Sequence, residues 1–486
     1  MLKKNKTYQA LLIIILSLPY ITSNVLYFDD IFRNARYYSD WSSDGRPLAD
    51  ALYFMLTFGN GMSDLFPLPL ILSIIIYFAV YTRLVDTITK GRRSFLSIYS
   101  YLSIIASPFF ISNMSFRYDS FFMLLSVSIA AIPFVIHIKN KILECISNVT
   151  LLVCCFSLYQ TSVNIFLGLC VIKSFLVYMD EKNFKKSISC LYMSALSFIF
   201  AYFIYSNFIL NTISLNAYFI NYSSSLGFSH NGIIGILNNI VSSMKPVIVL
   251  LKSGFGIPLL ICYALSTVAV FRKSYESKCV FLFIYYFFSI CIIATLSAGV
   301  ALAAQFPSFY ARIYLGFGLL ILFPCIIIER TICNEYIKLV FTAPLFIFLF
   351  SFTYVSSNMI KEHYNYSDMV ANDIVDKINS LELSNVRRVV FAGKAPTSNL
   401  VSSTLESMPF ISYLLPSTFR DNYDAGRFLL MKNGLNDGLN EITYPDQKDR
   451  DEILKMASKA KPIYSSYLYN MYYLNEVICI EFKSRG

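Results

Sequence analysis

Along the first three-quarters of the chain, apolar runs alternate with short polar segments. A helix rises 1.5 Å per residue, so about 17–25 apolar residues cross ~30 Å of hydrocarbon. On that rule spans are expected near 8–27, 66–82, 95–112, 119–138, 145–160, 162–179, 187–208, 247–271, 279–301, 313–328 and 339–357, about 11 in all. The pattern predicts a mainly α, polytopic transmembrane helical bundle. Lys252 fits the run near 247 poorly and points to a later start for that span. The first run follows Lys3, Lys4 and Lys6 and meets no small-residue cleavage site, so it reads as an uncleaved first span.

From residue 361 the pattern changes. Tyr366–Leu381 has helical spacing, Arg387–Phe391 reads as a strand followed by Gly393, Asp449–Lys461 reads as a helix, and Val477–Phe482 alternates as a closing strand. Two parts are therefore expected. Residues 1–360 form a transmembrane domain with a first exterior loop at 28–65, and residues 361–486 form a soluble α/β domain large enough for a small core.

Composition adds the solvent. Hydrophobic residues make up 56% of the chain and charged residues 14%, against about 25% charged in soluble domains, so the chain lacks the polar surface to cover itself in water. The net charge of +10 is not a nucleic-acid signal. Residues 361–486 hold 15 Lys/Arg against 16 Asp/Glu, so the excess of basic residues belongs to the apolar part. There, segments 1–7, 83–93, 139–144, 180–186, 272–278 and 329–338 contain 17 Lys/Arg, whereas the alternate segments contain six: Arg33, Arg36, Arg46, Arg117, Lys245 and Arg312. Short basic loops stay cytoplasmic. The expected topology thus has a cytoplasmic N-terminus, and an odd number of spans puts the C-terminal domain outside.

Ten of the eleven cysteines lie in or beside apolar spans, and neither they nor His137, His230 and His363 show metal-ligand spacing. No cofactor is expected from these residues, and none of them is assigned as a metal ligand. Walker-type and Rossmann glycine patterns are absent too, so a sugar donor, if there is one, should be lipid-linked rather than nucleotide-linked.

Candidate chemistry lies in the exterior loops. Asp29 and Asp30 leave the first span at the membrane–water boundary, where mutual repulsion and partial desolvation suit one of them to accept a proton; the bland alternative is a pair of hydrated loop acids. Gly45-Arg46-Pro47 precedes a segment with Leu48, Leu52, Met55 and Leu56 on one face. This is expected to be a surface-lying helix, with Pro47 in its first turn and Arg46 beside emerging lipid phosphates. Arg117 and Asp119 lie where two spans converge, Arg312 at another exterior edge, and Tyr159 and Gln160 at a polar turn within an apolar reversal. Arg117 and Asp119 read equally as an internal ion pair. Trp41, the only tryptophan, reads equally as a sugar-stacking ring or an interfacial anchor. Three loops each bringing an arginine to one face favour a functional cluster.

Phe28-Asp29-Asp30 with Arg33, then Trp41-Ser42-Ser43-Asp44-Gly45-Arg46-Pro47-Leu48, Phe116-Arg117-Tyr118-Asp119-Ser120 and Leu158-Tyr159-Gln160, resemble the bacteriophage-type serotype-converting O-antigen glucosyltransferases of the type II Gtr family. The resemblance covers the first third of the chain best, and no motif of the polar tail carries it. It implies a GT-C-like enzyme that takes glucose from undecaprenyl phosphate and adds it to a sugar of the O-antigen repeat. A donor synthase and a donor flippase are implied as partners, with no nucleic acid. A catalytic acid in the first exterior loop falls on Asp30 or, failing that, Asp29, with inversion at the anomeric carbon. Arg33, Trp41, Asp44, Arg46, Arg117, Asp119, Tyr159, Gln160 and Arg312 are the expected substrate-binding residues. A transporter or flippase of lipid-linked sugars and an O-antigen polymerase are the alternatives. The transporter reading would suit inverted repeats and broken helices, and the sequence displays neither.

Overall fold

The computed structural model describes residues 2–92, 94–227, 229–381, 386, 388–420, 425–435 and 447–483. Arg387, the first residue of the strand expected at Arg387–Phe391, lies outside them. The fold is mainly helical, and the chain divides into two units. The larger comprises Met1–Ser23 and Asp40–Ser357; the smaller comprises Asn24–Ser39 and Asn358–Gly486.

In the larger unit and the helix leading out of it, six helices among the described residues are long and apolar enough to cross a membrane. They are Leu68–Ile88, Lys141–Leu158, Gln160–Glu181, Phe184–Thr212, His230–Glu276 and Glu335–Ser380. A 22-residue helix, Leu2–Ser23, opens the chain, and Ser120–Phe134 and Val280–Thr295 are shorter apolar helices. Such a set is that of a multi-pass membrane protein. Gln160–Glu181 is enclosed by its neighbours along most of its length, which explains why polar Asn164 and Ser174 occur on it: each has an internal hydrogen-bond partner.

Two runs depart from simple spans. The apolar stretch expected to cross at 95–112 is two six-residue helices, Phe95–Ser100 and Phe110–Ser115, joined by buried turns. Freed backbone groups inside a membrane protein need internal partners. Tyr77 supplies them, its hydroxyl donating to Tyr101 O at 2.6 Å and accepting from Ile105 N at 3.4 Å. The second departure is His230–Glu276, at 47 residues about 70 Å of helix and too long for one crossing. It breaks at Ser253 and Gly254, where Gly254 takes φ +87°, a left-handed conformation glycine adopts freely. Lys252 sits at this break. The chain therefore contains a broken helix that hydropathy did not reveal.

Ion pairs gather the basic loops of this unit. Asp180 accepts from Lys90 at 2.9 Å and Arg330 at 2.6 Å, Arg92 donates to the Glu329 and Arg330 carbonyls, and Lys338 meets Glu329 at 3.2 Å in a fully buried pair. Segments 83–93, 180–186 and 329–338, all basic and all expected on one side, are thereby tied together.

The smaller unit holds a four-stranded sheet of β1 (Arg388–Ala392), β2 (Tyr464–Ser465), β3 (Tyr469–Leu474) and β4 (Val477–Phe482), in the order β1-β4-β3-β2. β1 runs parallel to β4, and β3 antiparallel to it. β3 and β4 turn through Asn475 and Glu476, both at positive φ, the geometry that matches strand twist in a two-residue hairpin. Ile478, Cys479 and Ile480 are all fully buried, so the central strand is covered on both faces. Ile453 and Ala457 of helix Gln447–Ala457 pack with Val390, Tyr472 and Cys479 in one core cluster; Phe391, Phe419, Phe482 and Tyr469 form a chain of ring contacts.

Candidate active site

In the larger unit, the segment after residue 40 folds as a coil of turns followed by the helix Pro47–Leu56, with Pro47 at the expected first position. Two carboxylates hold the coil. Asp40 Oδ1 accepts from Ser43 N at 3.0 Å, and Asp50 Oδ2 accepts from Ser42 N. Gly45 stands at φ +72°, and a Cβ there would lie 2.7 Å from the Tyr205 hydroxyl and the Phe219 ring. Glycine is required both by backbone conformation and by space. Of the helix, Ala49 and Tyr53 are buried, while Phe54 and Met55, with Phe58 just beyond it, expose their side chains. The exposed apolar side chains are thus those of 54, 55 and 58; of the expected face Met55 is exposed, while Leu48, Leu52 and Leu56 are half-buried.

The coil is fastened to turns from distant parts of the chain. Gln160 Nε2 donates to Asp44 O at 3.1 Å and Gly45 O at 3.2 Å, and the Tyr205 hydroxyl donates to Gly45 O at 2.7 Å. Asn216 Nδ2 donates to Asp44 Oδ1 at 2.7 Å. Trp41 is fully buried, with Tyr53 and Phe122 rings at 5.0 and 5.1 Å, and its indole N–H donates to Asp119 Oδ1 at 2.8 Å. The indole therefore offers no face to solvent and serves as a post beneath the coil. Arg46 Nη1 donates to the same Asp119 oxygen at 3.1 Å, and its guanidinium lies 4.9 Å from the Tyr159 ring centroid, a cation–π distance. Arg46 Nε is buried with no hydrogen-bond partner among the described residues. Arg46 thus retains donor capacity beyond its partner Asp119.

Arg312 joins this group through its backbone and its charge. Its carbonyl accepts from the Tyr159 hydroxyl at 3.0 Å and from Asn113 Nδ2 at 3.1 Å, and its guanidinium lies 5.6 Å from the Phe116 ring centroid. Residues 41–46, 113–119, 159–160 and 310–312 are therefore brought together by direct contacts. Arg117 has a separate partner: its Nε donates to both oxygens of Asp64 at 3.0 and 2.9 Å. Sequence reasoning missed Asp64, Tyr205, Asn216 and Asn113. Each is a single polar residue in an apolar or loop setting, with no spacing pattern to mark it.

Asp29 and Asp30 open a helix of the smaller unit, Asp29–Arg36, where the helix dipole favours negative charge. The preceding Phe28 takes φ 48°, and the turn is closed by Asp30 Oδ2, which accepts from Tyr27 N at 3.0 Å. Tyr27 in turn donates its hydroxyl to Leu414 O at 2.6 Å. The helix packs on Ala425–Lys432, with Phe32 edge-on to Phe428 and Arg36 over the same ring at 5.0 Å. Asp30 and Arg33 are buried, whereas Asp29 is half-buried. The two adjacent acids differ in enclosure: Asp30 is buried and closes the turn, and Asp29 is half-buried.

Among the described residues, no group of three or more His, Cys, Asp or Glu is arranged to hold a metal ion. The model of the family described as Glucosyl transferase GtrII matches residues 7–323. An uncharacterised 55.3 kDa protein in the gtrB 5′ region of Salmonella phage P22 is 25% identical over 443 residues, covering 87% of this chain and 88% of that relative. No solved structure matches. The matched region takes in the opening helix, the Asp29–Asp30 turn, the coil around Arg46 and all the turns that meet it, and the chain belongs to the GtrII glucosyl transferase family.

Proposed function

We propose that the chain transfers glucose from undecaprenyl-phosphate-glucose to a sugar of the O-antigen repeat, at the outer face of a bacterial inner membrane. The supporting observation is the meeting of Arg46, Asp119, Tyr159 and Arg312 in one cluster of loops within the family-matched region. Around eleven crossings, a cytoplasmic N-terminus and a periplasmic C-terminal unit belong to this reading.

The chemistry is a single displacement. An acceptor hydroxyl oxygen attacks the anomeric carbon of glucose, and the bond from that carbon to the phosphate oxygen breaks. The polyprenyl phosphate leaves with the bonding electrons, and the configuration inverts. Negative charge grows on the leaving phosphate, and Arg46 and Arg312 stabilise it, Asp119 holding Arg46 in place. Asp29 takes the hydroxyl proton. Asp29 is the less enclosed of the two acids, whereas Asp30 is buried and shapes the turn. Arg117, paired with Asp64, braces the loop rather than the phosphate.

The test compares O-antigen from cells with and without the gene by mass and linkage analysis. One added hexose per repeat, present only with the gene, is expected. Unchanged repeats of longer or shorter chain length would instead indicate a polymerase, and accumulation of unflipped donor without the gene would indicate a flippase.

A further inference from the structure

In the smaller unit, a cleft is lined by His363, Tyr366 and Ser367 of the long helix, Lys394 beyond β1, and Ser417 and Thr418. A backbone hydrogen bond from Ala395 N to Phe419 O, at 3.1 Å, ties its two loop walls together. His363 is buried, and its Nε2 lies 2.6 Å from Pro416 O. A carbonyl only accepts, so Nε2 carries the proton and Nδ1 of the neutral ring presents a lone pair. That Nδ1 and the Ser417 hydroxyl are both buried without hydrogen-bond partners among the described residues. Unsatisfied buried polar atoms are uncommon and call for a partner. The floor of the cleft has room for about one water-sized group, so whatever enters it is a small protruding polar group.

The inventory of donors and acceptors narrows the chemistry. Lys394 only donates, His363 Nδ1 accepts, and Ser417 does either. A phosphate or carboxylate would match Lys394 but leave Nδ1 facing a second acceptor. A hydroxyl satisfies both at once. We propose that this cleft is a saccharide subsite of the C-terminal unit that takes a pyranose hydroxyl of the polysaccharide acceptor. The proposal rests on the O-antigen reading above and adds to it where the acceptor is held.

The full-length protein in nanodiscs, titrated calorimetrically with lipid-free O-polysaccharide, tests it. Lys394 is exposed and Ser417 is a loop residue, so Lys394→Met and Ser417→Ala should both leave the fold intact. Each is expected to weaken polysaccharide binding about fivefold to tenfold and to raise the KM for the polysaccharide with kcat unchanged, the size of one lost hydrogen bond. Equal binding by both variants and the wild type would overturn the proposal. So would displacement of the polysaccharide by inorganic phosphate, which marks an anion site, or by methyl glucoside at equal strength, which marks a donor-sugar site. Binding that depends on Lys394 without any glucose transfer would keep the subsite and remove the transferase reading. Transfer with a KM that neither variant moves would keep the transferase reading and remove the subsite.

Discussion

Arg46 and Trp41 share one oxygen: Asp119 Oδ1 receives a guanidinium N–H at 3.1 Å and the indole N–H at 2.8 Å. One buried carboxylate therefore links the post under the coil to the cation proposed to meet the donor phosphate. Asp119→Asn keeps an acceptor for Trp41 but removes the charge that orients Arg46. Transfer is expected to fall about 100-fold, as for other losses of transition-state charge stabilisation, with the protein still folded. Asp119→Ala strips both partners at once, and breaking a buried pair costs about 3–5 kcal/mol. Thermal unfolding in detergent alongside a transfer assay separates the two; equal activity for Asp119→Asn and wild type would remove Arg46 from the reaction.

Gly45→Ala tests the coil itself. The substitution places a methyl group against Tyr205 and Phe219 at a left-handed residue. Strain of about 1–3 kcal/mol is expected locally. Because Gly45 neighbours Arg46, transfer should drop at least tenfold while the long helices insert normally. Full activity would mean that the coil yields without moving Arg46.

Arg117 and Asp64 form a bidentate pair in which Asp64 is well exposed. Exposed pairs contribute about 0.2–1 kcal/mol. Asp64→Asn should therefore change stability little, and the exchange Arg117→Asp with Asp64→Arg should restore whatever activity Arg117→Asp alone loses. Failure of the exchange to restore activity would show that Arg117 contacts substrate.

Two tyrosines of β3 give the smaller unit a pH limit. Tyr469 donates to Asp373 Oδ2 at 2.8 Å, and Tyr472 donates to Glu481 Oε2 at 2.9 Å. Burial and then the neighbouring carboxylate push each phenol above its ordinary value near 10. A group whose acid form is favoured by folding stabilises fully below its unfolded pKa and stops doing so as pH rises through the folded one. Unfolding of this unit should thus become easier above about pH 10, and Tyr469→Phe should flatten that dependence. A stability constant up to pH 12 would contradict the assignment.

Legibility in the sequence followed the strength of the periodic signal. β4 was readable as a short apolar run, but the alternation expected of a closing strand is absent: Ile478, Cys479 and Ile480 are all buried because β4 is a central strand. Pro47–Leu56 was readable because proline marks a first helical turn. The stretch 95–112 was misread because an apolar run specifies burial, not helix, and here Tyr77 satisfies a backbone that turns instead. Arg46, Asp119, Tyr159, Gln160 and Arg312 were legible as polar residues in an expensive setting. Their partners were not: Asn216 reaches Asp44 across 172 residues, and no local pattern announces such a contact. Nor did the sequence indicate that Asn24–Ser39, between the first helix and the Trp41 coil, belongs with the C-terminal unit.

The most direct measurement uses purified protein in proteoliposomes with labelled undecaprenyl-phosphate-glucose and lipid-linked O-antigen, following free carrier lipid and hexose added to the acceptor. Wild-type protein should release one carrier per hexose transferred. Asp29→Asn and Arg46→Met should each lower that rate at least 100-fold with donor binding by Asp29→Asn retained. Undiminished transfer by both variants, or carrier release without hexose on the acceptor, would contradict the proposed displacement.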